Sequence, residues 1–265
     1  MFEENTEELD VSGDAPAPST STVRSIERAF DILEILRQSR APLRLSDIAR
    51  ESGNHLATTQ RIVNVLVRSG YVLHERNMYS IGITSLLNAH AYLISNNLIQ
   101  VALPIVQELV TMSGLATSFS VRVGFRQILL MRIDGNSPLR YQLPVGEPMP
   151  LHLGGARIHA AWLEPDELEL FLKELPEIRL ASGEFVSREE FVEQLGIIRA
   201  QGFVCGYSQR ELGAASAAVP VFGQDGKIIA SLQVSGMADE LDSEKMEWSV
   251  VELKRASTAI ERRVW

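Results

Sequence analysis

The chain has 265 residues, of which 45% are hydrophobic, and its 34 acidic against 25 basic side chains give a net charge of -9. That length suffices for two domains with separate cores. One cysteine, Cys205, excludes an internal disulfide and a cysteine-built metal cage, and no apolar run approaches the ~20 residues of a membrane span. Met1 to Asp14 is acidic and lacks the basic and apolar regions of a secretion signal, which fits a reducing cytoplasm.

The acidic balance argues at first against a nucleic-acid partner, because phosphate contacts need local positive charge. Its distribution answers this. Residues 1–21 hold six acids and no base, residues 22–84 hold nine arginines against six acids, and residues 85–265 hold sixteen bases against twenty-two acids. Only the middle segment is basic, and all its positive charges are arginine, which suits bidentate phosphate and guanine contacts. Net +3 is modest, so an assembly of two or more chains is expected to pool its contacts.

In chain order, residues 1–21 are rich in Glu, Ser, Thr and Pro and have little to bury, which predicts a disordered tail. From Ser25 the apolar residues Ile26, Ala29, Phe30, Leu33 and Leu36 recur at helical spacing until Ala41-Pro42. Leu45, Ile48 and Ala49 give a short amphipathic helix with Ser46 as its expected cap, and Gly53 supplies a tight inter-helix turn. Leu56 to Arg68 then places Ala57, Gln60, Arg61, Asn64 and Arg68 on one face and Ile62, Val63 and Leu66 on the other. Gly70 stops that helix, and Tyr71 to Leu73 and Met78 to Ile81 read as two strands around His74-Glu75-Arg76-Asn77. An outward Gln, Arg and Asn alone would be an ordinary solvated face. The order helix, turn, helix, glycine, strand, polar tip, strand predicts a winged helix-turn-helix over residues 22–83. Its expected DNA contacts are Arg24, Ser46, Ala57, Thr58, Gln60, Arg61, Asn64 and Arg76.

Thr84 to Ser113 reads as helix, interrupted at Ser95-Asn96-Asn97, with Pro104 in a first turn or at a kink. Leu86, Leu87, Ala91 and Tyr92 are either core or a dimer surface. Strands are expected at Thr117 to Val123, Gln127 to Ile133, Arg140 to Leu143, Phe203 to Tyr207, Ser216 to Val221 and Ile228 to Val234. Helices are expected at Gly155 to Leu163, Pro165 to Glu174, Ser187 to Gln201 and about Ser243 to Arg263, with Ser187 and Glu190 in capping-box spacing. The pattern predicts an antiparallel sheet in an α+β domain.

Several stretches together resemble the IclR family of bacterial transcriptional regulators. In the first half these are Val23-Arg24-Ser25-Ile26-Glu27-Arg28-Ala29, Leu45-Ser46-Asp47-Ile48-Ala49, Gly53 with Thr58 and Arg61, Gly70-Tyr71-Val72 and Tyr79-Ser80-Ile81-Gly82. In the second they are Pro144-Val145-Gly146, Pro150-Leu151-His152, Gly154-Gly155, Gly202-Phe203, Gly213 before Ala217-Ala218-Val219-Pro220, and Ser235-Gly236. The chain departs from the pattern at Asn54, His55 and Leu56 in the turn, at Arg157-Ile158 where the family has a Gly-Lys pair, and at Gly206 where a carboxylate is common.

The resemblance implies a linker helix over residues 84–97 and a GAF-like effector-binding domain over residues 98–265. It implies a small organic acid as effector, with Leu139, Gly154, Gly155, Ser216, Gln233 and Ser235 as its pocket, and Arg140 and Tyr207 nearby. Operator DNA is the implied partner, the assembly a homodimer or homotetramer, and no cofactor or metal is implied. Independently of the resemblance, Gln233 and Ser235 stand two apart in a strand and so share a face, although small residues there also serve packing alone. Two other classes of function compete. Cys205 with His152, His159 and Asp134 could be drawn as a Cys-His enzyme, though a lone cysteine in an apolar strand is usually a small buried hydrophobe. A ligand-binding or assembly module without specific DNA binding is the other, and DNA binding in vitro separates both from a regulator.

Overall fold

The computed structural model describes residues 20–39, 41–136, 144–175 and 177–264. Most of the expected tail over 1–21, the expected strand over Arg140 to Leu143, and Leu139 lie outside them. The chain divides between Tyr92 and Leu93 into two compact units.

In the first unit, α1 (Thr20–Gln38), α2 (Leu45–Glu51) and α3 (Leu56–Arg68) are followed by strands β1 (Val72–Glu75) and β2 (Met78–Ile81). Helix α1 opens at Thr20, two residues before the expected boundary at residue 22. Ile32, Ile48 and Val63, one from each helix, are fully buried and meet Leu36, Leu66, Val72 and Tyr79. Each side chain buried to that extent contributes about 1.5–3 kcal/mol, which is what holds so small a core together. Helix α2 is not capped by Ser46. Arg44 is its N-cap, and Asp47 Oδ2 accepts the Arg44 amide at 3.3 Å, because a carboxylate at the third helical position reaches the orphaned donor. Ser46 is left exposed in the first turn.

The wing is tighter than the residue pattern predicts. Glu75 pairs with Met78 in register, so the turn has only Arg76 and Asn77 at its centre, both with positive φ (49° and 61°). That is the mirror-image turn whose twist matches a hairpin. A bridge from Leu43 to Tyr79 adds a third short segment, and His74 stacks on Tyr79 at 4.3 Å. Helix α4 (Thr84–Ser95) follows, with no buried residue. Thr84 Oγ1 donates to Ser69 O at 3.1 Å, and Asn88 Nδ2 donates to the Tyr71 hydroxyl at 2.7 Å.

In the second unit, α5 (Asn97–Ser113) begins where Asn96 Oδ1 accepts the Ile99 amide at 3.2 Å. Pro104 lies eight residues into this helix, beyond its first turn. The strands β3 (Ala116–Val123), β4 (Arg126–Ile133), β5 (Pro148–Pro150), β8 (Val204–Tyr207), β9 (Ala214–Phe222) and β10 (Ile228–Met237) form one sheet in the order β5-β4-β3-β10-β9-β8. Every pairing is antiparallel, as expected for the α+β class. Helices α5 and α9 (Ser243–Val264) share a core with Phe119, Val219 and Leu232. The opposite core is built from α6 (Arg157–Ala160), α7 (Pro165–Glu174) and α8 (Arg188–Gln201), through Ile158, Phe171, Phe191 and Leu195. A two-residue hairpin, β6 (Ile178–Arg179) with β7 (Phe185–Val186), precedes α8.

The helix expected over Gly155 to Leu163 is instead a 3-10 turn, Gly154–Ala156, and the four residues of α6. Pro165 holds Glu164 extended, so a new helix starts there and the earlier one stops short. Helix α8 carries the expected reciprocal cap, with Glu190 N on Ser187 Oγ at 3.1 Å and Ser187 N on Glu190 Oε2 at 2.8 Å.

Two glycines in the first unit are required for different reasons. A Cβ on Gly82 would lie 2.2 Å from Gly70 O, whereas Gly53 has open space but φ +65°. Gly53→Ala is therefore expected to cost about 1–2 kcal/mol, the left-handed penalty alone. Gly82→Ala should cost more, since backbone must move. Urea denaturation of both variants checks this, and equal midpoints would contradict the packing at the wing's base.

Candidate functional site

Helix α3 turns Ala57, Arg61, Asn64 and Arg68 to solvent, with Thr58 and Gln60 half-buried, while Val63 and Leu66 are buried. Gln60 Nε2 donates to Asn64 Oδ1 at 2.9 Å, which leaves the Asn64 amide N–H groups and the Gln60 carbonyl outward as donor and acceptor. Thr59 is buried on the inner side, its hydroxyl donating to His55 O at 3.3 Å.

Two arginines of the first unit are tied down by carboxylates. Arg37 Nε is held by Glu34 at 2.7 Å and Arg50 by Asp47 at 3.0 Å, each an ion pair within one helix. Arg24, Arg61, Arg68 and Arg76 are exposed and carry no ion pair among the described residues. Arg24 stands on α1, Arg61 and Arg68 on α3, and Arg76 at the wing tip. These are unspent guanidinium groups on the elements that meet a duplex in winged folds.

In the second unit the alternation of β10 separates two surfaces. Ala230, Leu232 and Val234 enter the α5/α9 core, so Ser231, Gln233 and Ser235 point to the opposite face. The register sets Gln233 beside Ser118 and Ala218, and Ser235 beside Ser216. Gly155 closes over this face, where a Cβ would lie 2.1 Å from Gln233 Oε1. Gly155, Ser216, Gln233 and Ser235 are thus brought together, and Ser235 Oγ is buried without a partner. The Gly154 amide, in contrast, is already occupied, donating to Gln209 Oε1 at 2.9 Å.

Sequence reasoning missed the polar chain across the same face. Gln127 Nε2 donates to Ser120 Oγ at 2.7 Å, Ser120 Oγ lies 2.7 Å from Ser231 Oγ, and Ser231 Oγ lies 3.0 Å from His159 Nε2. Burial, and secondarily the charge on Arg122, push the His159 pKa down to about 3, so the ring is neutral. With the Ser120 hydroxyl donating to Ser231 and the Ser231 hydroxyl to His159 Nε2, the ring hydrogen is on Nδ1, which has no partner. Arg132 was missed as well. It pairs with Ser118 in register, its Nε donates to Asp134 at 2.9 Å, and one of its buried Nη atoms is unpartnered. The available signal was serine and glutamine at period two within otherwise apolar strands.

Of the residues drawn as a Cys-His site, Cys205 and His159 lie on opposite faces of the sheet, while His152 lines a cavity with Cys205. Cys205 packs against the α5/α9 core, while His159 bonds Ser231 on the other face. Burial pushes the Cys205 thiol up to about 11 against the opposing pull of Arg157, so it is protonated and unreactive at neutral pH. His152 is also shifted down, chiefly by burial and then by Arg210 and Arg126.

A winged helix-turn-helix with free arginines, in one chain with an α+β domain bearing a covered polar sheet face, defines a DNA-binding protein with a sensory module. Comparison with known proteins agrees. Residues 25–76 match the IclR helix-turn-helix domain, and residues 90–262 match the bacterial transcriptional regulator IclR C-terminal family. The HTH-type transcriptional regulator XynR of Escherichia coli K12 is 24% identical over 91% of this chain and 96% of its own, and the transcriptional repressor IclR of the same organism is 23% identical over 91% and 90%. An IclR transcriptional regulator from Alicyclobacillus acidocaldarius superposes with a TM-score of 0.78 at 21% identity, covering 91% of this chain and 99% of that one. An IclR homolog from Microbacterium hydrocarbonoxydans, complexed with 4-hydroxybenzoate, does so with 0.75 at 23%, covering 91% and 98%. The chain belongs to the IclR family of bacterial transcriptional regulators, with a helix-turn-helix DNA-binding domain and a C-terminal effector domain. Members of this family are transcriptional regulators, not enzymes.

The buried neutral histidine fixes a pH dependence. Its pKa is depressed from an unfolded value near 6.5, so between 6.5 and 3 the unfolded chain binds the extra proton. Stability is therefore full above pH 6.5 and falls as the pH drops through that window. From pH 7 to pH 5 the histidine alone removes about 2 kcal/mol. Denaturation of wild type and His159→Gln at both pH values should show that difference in slope, and parallel curves would contradict it.

Proposed function

We propose that the protein is an effector-responsive regulator that binds a near-palindromic operator as a homodimer or dimer of dimers, with paired α3 helices in successive major grooves. In this reading residues 22–83 bind DNA, residues 84–97 link the domains and residues 98–265 bind the effector, a small organic acid. The carrying observation is the α3 face, on which Arg61 and Arg68 stand free beside the Gln60–Asn64 pair. Ala57 lies on that face with Thr58 beside it, Arg24 on α1, Ser46 on α2 and Arg76 at the wing tip complete the proposed contacts, and the arginines supply phosphate contacts. Because one copy carries only net +3 over residues 22–84, two copies give the charge a tight complex needs.

Assembly through two copies is supported by apolar exposure on two helices. Phe30 on α1 is 67% exposed, and Leu86 and Leu87 on α4 are 63% and 61% exposed, so the α4 residues are not core within one chain. The effector is assigned to the face formed by Gly154, Gly155, Ser216, Gln233 and Ser235. A relative complexed with 4-hydroxybenzoate supports an organic acid. For a switch, the acid must bind the operator-competent and incompetent arrangements with different affinity.

The test is a mobility shift with the protein's own upstream intergenic DNA at two salt concentrations. Wild type is expected to give a discrete, competitor-resistant shift that weakens with salt. Arg61→Ala should weaken it by about tenfold or more, the loss of one good base contact, and an unaltered shift would remove α3 as the reading helix. Leu86→Glu with Leu87→Glu should shift sedimentation toward monomer, and an unchanged sedimentation profile would place the dimer contact elsewhere.

A further inference from the structure

Arg157 opens α6 with only 7% of its surface exposed. Its Nε donates to Gly154 O at 3.2 Å, Nη1 to Gln194 Oε1 at 2.8 Å, and Nη2 to Cys205 O at 3.2 Å. All three acceptors are neutral, and no carboxylate pairs with this guanidinium among the described residues. Three of its five N–H groups are used, and two are left. A buried charge is ordinarily paired, because desolvation without a counterion is expensive. Burial lowers this group only to about 10, so it is fully charged at neutral pH.

Beside it is a cavity of about 330 Å³ between β8, α8 and the β6–β7 hairpin. Arg157, His152, Gln194, Tyr207 and Gln209 form its larger, polar part, and Leu180, Val186 and Phe191 its apolar part. Glu184 is exposed and also lines it. A buried cation without a bonded counterion, open to a cavity of mixed polar and apolar lining, has the chemistry that receives a small anion. The exposed Glu184 carboxylate opposes any anion there, a dianion about twice as strongly as a monoanion, and solvent screens it while the buried guanidinium is not screened.

We propose that this cavity binds a small monocarboxylic acid, with the Arg157 guanidinium as the anchor for its carboxylate. The assignment rests on the acid-effector reading above and places the carboxylate in a cavity that Gln233, Ser216 and Ser235 do not line; those three are uncharged, and Arg132, in register with Ser118, is already paired with Asp134. Serving only as a tie between α6, α8 and β8 would account for the three hydrogen bonds. It would not account for the two unused N–H groups beside a cavity.

Titration calorimetry on the full chain with benzoate, isovalerate and neutral benzamide tests it. Gln194→Glu places a carboxylate 2.8 Å from Nη1 in the same shape, so the fold should melt no lower than wild type. Wild type is expected to bind at least one of the two acids and not benzamide, and Gln194→Glu and Arg157→Gln to weaken that binding at least tenfold. Loss in Gln194→Glu supports the anchor whether or not Gln233→Ala with Ser235→Ala also loses binding. Unchanged affinity in Gln194→Glu, or equal binding of benzamide, overturns the anchor. If the double variant alone loses acid binding, the effector reading survives without Arg157. Absence of binding by either acid to wild type overturns both.

Discussion

Strand β10 is hydrogen-bonded along both edges, to β3 on one side and β9 on the other, and the effector domain depends on that double pairing. With two neighbours fixing its register, every second residue is committed to one face. A slip by one position would drive Ser231, Gln233 and Ser235 into the core of α5 and α9 and expel Leu232 and Val234. The apolar face therefore sets the register, and the polar face is its consequence. Polar groups so deeply placed must find partners. Ser231 finds Ser120 and His159, Gln233 lies against Gly155, and Ser235 Oγ remains unmatched.

That face needs a cover of unusual shape. A side chain at position 155 would collide with Gln233, so the covering segment starts as a glycine-opened turn and only then becomes helical. Arg157, one turn further on, is carried under the same cover and reaches the edge strand through Cys205 O. The first unit uses a smaller device for the same end. Its short core presses α3 from behind through Val63 and Leu66, which leaves the outer face free of packing duties and its arginines unpaired.

Much of the fold could be read from residue pattern alone. The Ala49 to Gly53 spacing, the two-faced periodicity of α3, and the alternating segments around Arg76 and Asn77 all correspond to elements of the structure. Ser187 with Glu190 was legible because a capping box is local. What escaped was non-local or very short. The β6–β7 hairpin has two residues per strand, too few to alternate visibly. The pairing of β3 with β10 joins residues more than a hundred positions apart. At the candidate site, the shared face of Gln233 and Ser235 followed from period two. The bonds of His159 to Ser231 and of Arg157 to Gln194 and Cys205 did not, since nothing near positions 157 and 159 announces partners so far along the chain. Ser46 misled for the opposite reason. A serine before an apolar run is a common cap, but here the helix is entered at Arg44, whose own amide Asp47 accepts from inside the first turn.

The claim on which the account turns is that acid and operator bind one protein with a shared free energy. Linkage requires the coupling to be reciprocal. The direct measurement is the affinity for benzoate or isovalerate of the protein alone and of the protein saturated with its operator duplex, by calorimetry at one salt concentration. The account predicts different acid affinities in the two states, by the same factor by which the acid changes operator affinity. Identical acid affinities with and without the operator would contradict it.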